Sequence, residues 1–331
     1  MALSARGKKA ASMLIFAWLM ALALAAAPAF AQPFPSKPVR FIVAYPAGGA
    51  TDVIARAVGQ KLGEIWSQPV VIENKGGAGT QIGAEYVAKA DADGYTLLAT
   101  AEATFVVNPF LYRHLTYNVN EFMPVSGMGV VNQVLVVHPQ APIKDVRDLI
   151  SQSKAAPGKL TYGTIGLGSS GHLNMELFES MAGVQLTPVH YRGGAPAMTD
   201  LLGGHVPMGF VSLTLTAQSV RSGQLRAIGI GSKSRSSQFP EVPTIDEAGV
   251  PGFDAVTWFG LFAPKGTPAN IVAKINEDVQ RVLADQSFQA QFLAPNFFEP
   301  IKGSPQEFSE FITHEAAKWE TVIKGANLSV D

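Results

Sequence analysis

A strand that ends in a glycine-rich turn and opens a helix recurs four times in this chain, and that repeat constrains the fold more than any other feature. The turns are Ala47-Gly48-Gly49-Ala50-Thr51-Asp52, Lys75-Gly76-Gly77-Ala78-Gly79-Thr80, Tyr162 to His172, and Tyr191-Arg192-Gly193-Gly194-Ala195-Pro196. Before the first turn, Lys37–Tyr45 is an apolar run that reads as a buried strand. Thr51–Trp66 then carries apolar residues at helical spacing. Strand Pro69–Glu73, helix Thr80–Ala90 and strand Tyr95–Thr100 follow. Such a rhythm predicts an α/β fold with a mostly parallel sheet covered by helices.

The rhythm breaks at Val130–His138, a long apolar strand that no helix precedes. A second series then alternates strands Leu160–Thr164, Pro188–Tyr191, Met208–Val211 and Leu225–Gly231 with helices Ser170–Met181, Ala195–Leu202 and Thr216–Ser222. Phe253–Ala263 is another long apolar segment, and Phe308–Lys324 reads as the last helix. Two series joined by two long strands predict two Rossmann-like lobes: lobe I from residues 33–129 and 256–331, lobe II from 130–255. Ligands of open α/β sheets lie beyond the carboxyl ends of the strands, so the expected site is a cleft between the lobes, closing about the two crossings.

The turns are where chemistry is expected. Free N–H groups and the helix dipole make the first turn of a helix a ready anion site. Thr51 or Asp52 is a candidate cap for the first helix, and Ser169 and Ser170 add hydroxyls at the start of another. Gly166, Gly168 and Gly171 also match G-x-G-x-x-G between a strand and a helix, the dinucleotide fingerprint. No acidic residue ends the next strand to hold a ribose hydroxyl, and Arg192 there suits only a phosphorylated ribose. An NADP-dependent oxidoreductase is therefore the enzymatic alternative. Arg192 reads as a solvated rim charge, His172 as a helix-face residue and Glu102 as a solvated loop acid.

Composition narrows the classes. Arg6, Lys8 and Lys9, the apolar stretch Ala10–Ala27 and Ala29-Phe30-Ala31 form a secretory leader with cleavage expected after Ala31. Without those three cations the chain carries 22 basic and 26 acidic residues and no basic cluster, which argues against nucleic acid. There is no cysteine, so no disulfide, thiolate or lipidated cysteine is available. The six histidines show no metal-ligand spacing. No metal, cofactor or catalytic residue is expected. The sequence offers no obvious dimer surface, and a monomer is the expectation.

Taken in order, AYPAGGATD (44–52), VIENKGGAG (71–79), DADGYTLL (91–98), NPFLY (108–112), YGTIGLGSSGHL (162–173), HYRGGAPAMTDLLGG (190–204) and WFGLFAPKGTP (258–268) resemble the Bug family, the receptors of tripartite tricarboxylate transporters. The resemblance implies a type II periplasmic-binding fold. It also implies a small mono- or dicarboxylate ligand, aliphatic or aromatic, and permease subunits as partners in the periplasm. A receptor feeding a sensor kinase would bind the same solute. Carried over by position, the ligand contacts are Tyr45, Ala47, Gly48, Gly49, Thr51 and Asp52 in the first turn, Thr164, Gly168, Ser169 and Ser170 in the third, and Tyr191, Gly193 and Ala195 in the fourth. Three places depart from the family pattern: Phe105 for a common histidine, Glu102 for a small polar residue, and Val211-Ser212 for an Asp-Asn pair. The last departure removes a partner for an ammonium group, which disfavours an amino-acid ligand.

Overall fold

The structure is a computed structural model that describes residues 34–330, so the expected leader and its cleavage site lie outside the described residues. Ten strands join in one mixed sheet. Strands β1 (Val39–Val43), β2 (Val70–Asn74) and β3 (Thr96–Ala101) are parallel, with β1 in the middle. Helix α1 (Ala50–Trp66) crosses from β1 to β2, and α2 (Gln81–Ala88) from β2 to β3. These five elements fall where the apolar periodicity puts them. Inserting a methyl at Gly83 of α2 would place it 2.9 Å from Ala44 Cα, so this glycine lets the helix lie directly on β1.

The chain after β3 differs from the expected loop. Ala103–Val107 is a π-helical turn that runs into a short helix, α3 (Asn108–Leu111). The strand that follows, β4 (Phe122–Val137), starts well before Val130 and is 16 residues long. Its early part holds Ser126, Gly127 and Gly129, which dilute the apolar signal. Side chains there would collide with Ile301 and Ile54. Helix α4 (Val146–Ala155) also escapes the periodicity, because only Val146, Leu149 and Ser153 are buried along it.

The second series comprises β5 (Thr161–Thr164), α5 (Ser170–Ala182), β6 (Thr187–His190), α6 (Gly194–Leu202), β7 (Met208–Ser212), α7 (Leu213–Arg221) and β8 (Arg226–Ile230). Strand β9 (Val256–Pro264) then returns antiparallel between β3 and β4. The strand order is β2-β1-β3-β9-β4-β7-β5-β6, with β8 and the short β10 (Phe298–Glu299) also on β4. Strand β4 does two jobs. Phe122 to Asn132 pair with β9, whereas Gln133 to Val137 pair with β7 and β8. One strand thus belongs to both series, and the change of partner falls at Asn132/Gln133.

Helix α8 (Ala269–Ala284) packs on α1 and β4. The last helix, α9 (Pro305–Gly325), starts with a capping box between Ser304 and Glu307 and packs on residues 103–111 and also on α5. Trp258, fully buried on β9, meets the edges of Phe308 and Phe311 from α9. Phe105 belongs to this core rather than to a site. It stacks on Phe262 at 3.8 Å between ring centroids and meets Phe122 edge-on.

Candidate functional site

The carboxyl ends of β1, β3, β5 and β7 converge on one cavity of about 470 Å³. Tyr45 follows β1, Glu102 follows β3, Ile165 follows β5, and Val211 and Ser212 end β7. Gln133 lines the cavity from the point where β4 changes partners, and Thr257 from the start of β9.

Among the helices that begin at this cavity, α1, α5 and α7 have no side chain capping the first turn. Their N-cap residues are Gly49 for α1, Ser169 for α5 and Ser212 for α7. Ala50 and Thr51, Ser170 and Gly171, and Thr214 and Leu215 line the wall from those first turns. Amides at such positions have no intrahelical acceptor, and the dipoles add positive potential. Ser169 Oγ is shielded from solvent and has no partner among the described residues, although it occupies the position from which a serine ordinarily caps its own helix. The wall therefore presents donors in need of an acceptor.

Of the residues expected from the family pattern, Tyr45, Thr51, Gly168, Ser169 and Ser170 line this cavity. Ala47, Gly48, Gly49, Asp52, Thr164, Tyr191, Gly193 and Ala195 are not in its wall, and several have visible other work. Asp52 accepts from the Gly48 amide and Arg56 Nε, each at 2.9 Å, and from Asn74 Nδ2 at 2.8 Å. Burial pushes its carboxyl up, but those bonds outweigh burial and hold it below the usual range. Asp52 thus fixes the first turn. Thr164 Oγ1 accepts from the Gly166 amide and bonds His190 Nδ1 at 3.0 Å. Tyr191 donates its hydroxyl to Asp200 at 2.7 Å.

The third turn is held from behind. His172, 1% exposed, accepts the Gly168 amide on Nδ1 at 3.1 Å and presents Nε2 to Glu176 at 3.3 Å. Gly168 therefore offers the cavity no donor. Its place in the wall comes from close approach: with φ +71° it packs so tightly on Leu111 of α3 that a methyl group would collide. Gly171 likewise abuts the Phe210 carbonyl. The glycines of G-x-G-x-x-G are thus used for packing and for a turn held by histidine. Arg192 is exposed, as expected of a rim charge.

Glu102 corrects the expectation of a solvated loop acid. The turn into residues 103–107 carries it inward, its amide donating to the Trp258 carbonyl at 3.0 Å, and it is only 5% exposed. Ser170 Oγ donates to Glu102 Oε1 at 2.8 Å, while Oε2 has no partner among the described residues. Burial pushes this carboxyl up to about 7, against the Ser170 bond and with the help of the Glu315 charge. Thr80, Asn108, Tyr112, Gln133 and Thr257 are further wall residues that motif reading missed. Asn108 donates to the Gly79 carbonyl at 2.7 Å and so ties α3 to the second turn, and Gln133 Nε2 donates to Thr257 Oγ1 at 3.0 Å. Lys75–Thr80, a turn richer in glycine than a connection requires, pointed to Thr80, and the motif NPFLY (108–112) spans Asn108 and Tyr112.

The rest of the wall is apolar. Phe210, Phe259, Val131 and Leu111 form its sides, and Ile165, Leu167 and Leu215 stand half exposed in it. No group of acidic or histidine side chains among the described residues is placed to hold a metal.

Residues 54–328 match the family described as tripartite tricarboxylate transporter family receptor. The chain belongs to that family. Protein BugT of Bordetella pertussis is 39% identical over 307 residues, covering 92% of this receptor and 94% of BugT. Among solved structures, R. palustris Rpa4515 with adipate is 36% identical with a TM-score of 0.78, covering 90% of this receptor and all of that chain. MatC from Rhodopseudomonas palustris with bound malate is 31% identical with a TM-score of 0.73, covering 88% and 100%. The fold of this receptor is therefore the α/β fold of periplasmic solute-binding proteins, and its relatives are solute-binding proteins rather than enzymes. That overturns the dinucleotide reading of Gly166, Gly168 and Gly171, in keeping with the packing role of Gly168 and Gly171. No described helix is long and apolar enough to cross a membrane.

Proposed function

We propose that this receptor captures a small organic acid in the periplasm and delivers it to the permease subunits of a tripartite tricarboxylate transporter. The observation that carries the reading is the meeting of the uncapped starts of α1, α5 and α7, with the unpartnered Ser169 hydroxyl, on one cleft. A carboxylate there receives backbone N–H bonds from the first turns of α1 and α5 and a hydroxyl bond from Ser169. The first turn of α7 lines the same cavity. Apolar walls around Phe210, Phe259 and Leu111 suit the body of the acid and leave room for an aliphatic or an aromatic one.

In this reading residues 33–129 and 256–331 form one lobe and residues 130–255 the other, with the carboxylate clamped between α1 and α5. Strands β4 and β9 are the two crossings. Closure brings Gly168 onto Leu111 and Ser170 onto Glu102 and shields the anion from water, which strengthens its bonds. The secretory pattern of the first 31 residues and the family both support a periplasmic place of work.

A thermal-shift panel of adipate, malate, benzoate, an amino acid and NADP tests the reading. An acid at about one hundred times its dissociation constant adds about 2.7 kcal/mol of stability. Stabilisation by NADP or by the amino acid alone would refute it. Co-purification with permease subunits, against a sensor kinase, tests delivery to a transporter.

A further inference from the structure

Glu102 poses a problem for any anion trap. Its side chain is buried in the wall that offers donors to a negative ligand, and one of its oxygens has no partner among the described residues. An ionised carboxylate at that place would repel a bound acid across a short, poorly screened gap.

We propose that Glu102 is protonated in the complex and donates a hydrogen bond from Oε2 to an oxygen of the bound acid, so that this receptor takes up a proton as it binds an anion. The inference rests on the reading of the ligand as a carboxylate. Three features of the geometry carry it. First, Oε1 is occupied by the Ser170 hydroxyl at 2.8 Å, which leaves Oε2, shielded from solvent and without a partner among the described residues, as the oxygen still in need of one. Second, burial and a neighbouring negative charge outweigh the hydrogen bonds from Ser170, a backbone amide and Thr257, which favour the ionised form. Glu315 of α9, 2% exposed, lies behind and adds negative charge. Among the described residues the cation paired with Glu315 is Lys318, engaged there at 2.5 Å and with the Asp254 carbonyl at 2.9 Å. The other groups facing Glu102 are the hydroxyls of Ser170 on α5 and Thr257 on β9, and the phenol of Tyr45 after β1. None of them supplies a positive charge. Third, the ligand's own charge acts in the same direction: an anion beside a carboxyl penalises its ionised form. Burial already holds the empty-site carboxyl at about 7, so a bound anion completes the shift at neutral pH.

Specificity follows from the same bond. A neutral carboxyl donates to a carboxylate or hydroxyl oxygen, which makes Glu102 a reader of a second oxygen on the acid, in addition to the one held at the helix starts. A ligand with an ammonium group at that point would instead keep Glu102 ionised and release no demand for a proton.

Calorimetric titration of the full receptor with adipate, malate and benzoate tests this, each in two buffers of different ionisation enthalpy between about pH 6.5 and pH 9. Uptake approaching one proton is expected above neutrality, and the association constant should fall by up to about tenfold per pH unit there. Glu102→Gln retains a donor and cannot titrate. It is expected to bind with no proton uptake and with an affinity that no longer follows pH, whereas Glu102→Ala binds more weakly throughout the range. Circular dichroism checks that both variants are folded. Binding by the wild type without proton uptake would overturn the proposal and leave the carboxylate function standing. Loss of binding in Glu102→Gln at every pH would also overturn it, by showing that an ionised Glu102 is needed. If none of the three acids binds at any pH, the carboxylate reading fails and this inference falls with it.

Discussion

Ser170 Oγ donates a 2.8 Å hydrogen bond to Glu102 Oε1 across 68 positions of sequence, joining the first turn of α5 to the end of β3. The bond links the two βα series at the floor of the cavity, at a helix start where an anion is expected. Under the proposed function Ser170 ties the two series together as well as meeting the ligand. If the receptor binds a carboxylate as proposed, Ser170→Ala should therefore weaken binding of the acid that stabilises it in the thermal-shift panel by about 1–3 kcal/mol. It should also raise the radius of gyration of the ligand-free receptor in small-angle scattering, because one tie between the two series is gone. Wild-type affinity in the variant would mean that the backbone amides alone hold the acid.

Stability should fall as pH rises from about 5 to 8. Glu102 and Glu179 both sit at about 7, for which burial is the main cause in each case. A carboxyl raised in the folded state contributes stability that is complete below its ordinary value of 4.5 and is lost as pH climbs through about 7. Asp52 acts in the opposite sense, since its lowered value keeps its contribution intact above 3.8 and loses it only in stronger acid. Between pH 5 and 8 the two glutamates, joined by Glu299, which burial also raises, act against His190, which burial lowers and which gains stability as pH rises; the slope is expected to follow the carboxyls. For Glu102 the full effect is on the order of 3 kcal/mol. The melting temperature of the wild type should drop across this range, and Glu102→Gln should flatten the drop. A melting temperature that rises from pH 5 to 8 would contradict the burial of both groups.

The sequence carried the parallel strands and their helices because β-branched runs, glycine turns and helical spacing agree with one another at β1, α1, β2 and α5. It did not carry α4, whose apolar stripe is only Val146 and Leu149, although Asp145 caps it through the Asp148 amide in the ordinary way. The first half of β4 was hidden for another reason. Gly127 and Gly129 are demanded by Ile301 and Ile54, which come from distant parts of the chain. The site divides in the same manner. Ser169, Ser170 and Thr51 could be named because a helix start is a local feature. Glu102 could not be placed, since its burial depends on Trp258, Glu315 and Ser170, separated from it by 68 residues or more. Asp52 shows the converse: its position beside the first turn was legible, but not its three internal partners.

His172 should act through the turn it holds. Its Nδ1 takes the Gly168 amide at 3.1 Å, and the ring is 1% exposed. His172→Ala leaves that amide without its acceptor and opens a cavity under α5, at a cost of about 2–4 kcal/mol in stability. Amide exchange should accelerate at Gly168 to Ser170 well before it does in β4, and adipate affinity should fall at least tenfold. Protection of the Gly168 amide in the variant as strong as in the wild type would show that the turn stands without the histidine.

Gly168→Ala separates closure from folding. At φ +71° alanine is strained by about 1–2 kcal/mol, and its methyl group would run into Leu111 of α3. The strain stays wherever the turn goes, whereas the collision exists only when the turn lies on α3. Under the proposed closure, the receptor would relieve it by parting these elements, which would remove the shelter of the carboxylate. Adipate affinity should therefore fall by about a hundredfold or more while the melting temperature drops only slightly, and scattering should show a more extended particle with adipate present. Adding Leu111→Ala makes room for the methyl and should return part of the affinity, leaving the backbone strain as the residue of the defect. If the double variant binds no better than Gly168→Ala, the turn does not meet α3 in the bound state, and closure must be guided by other contacts.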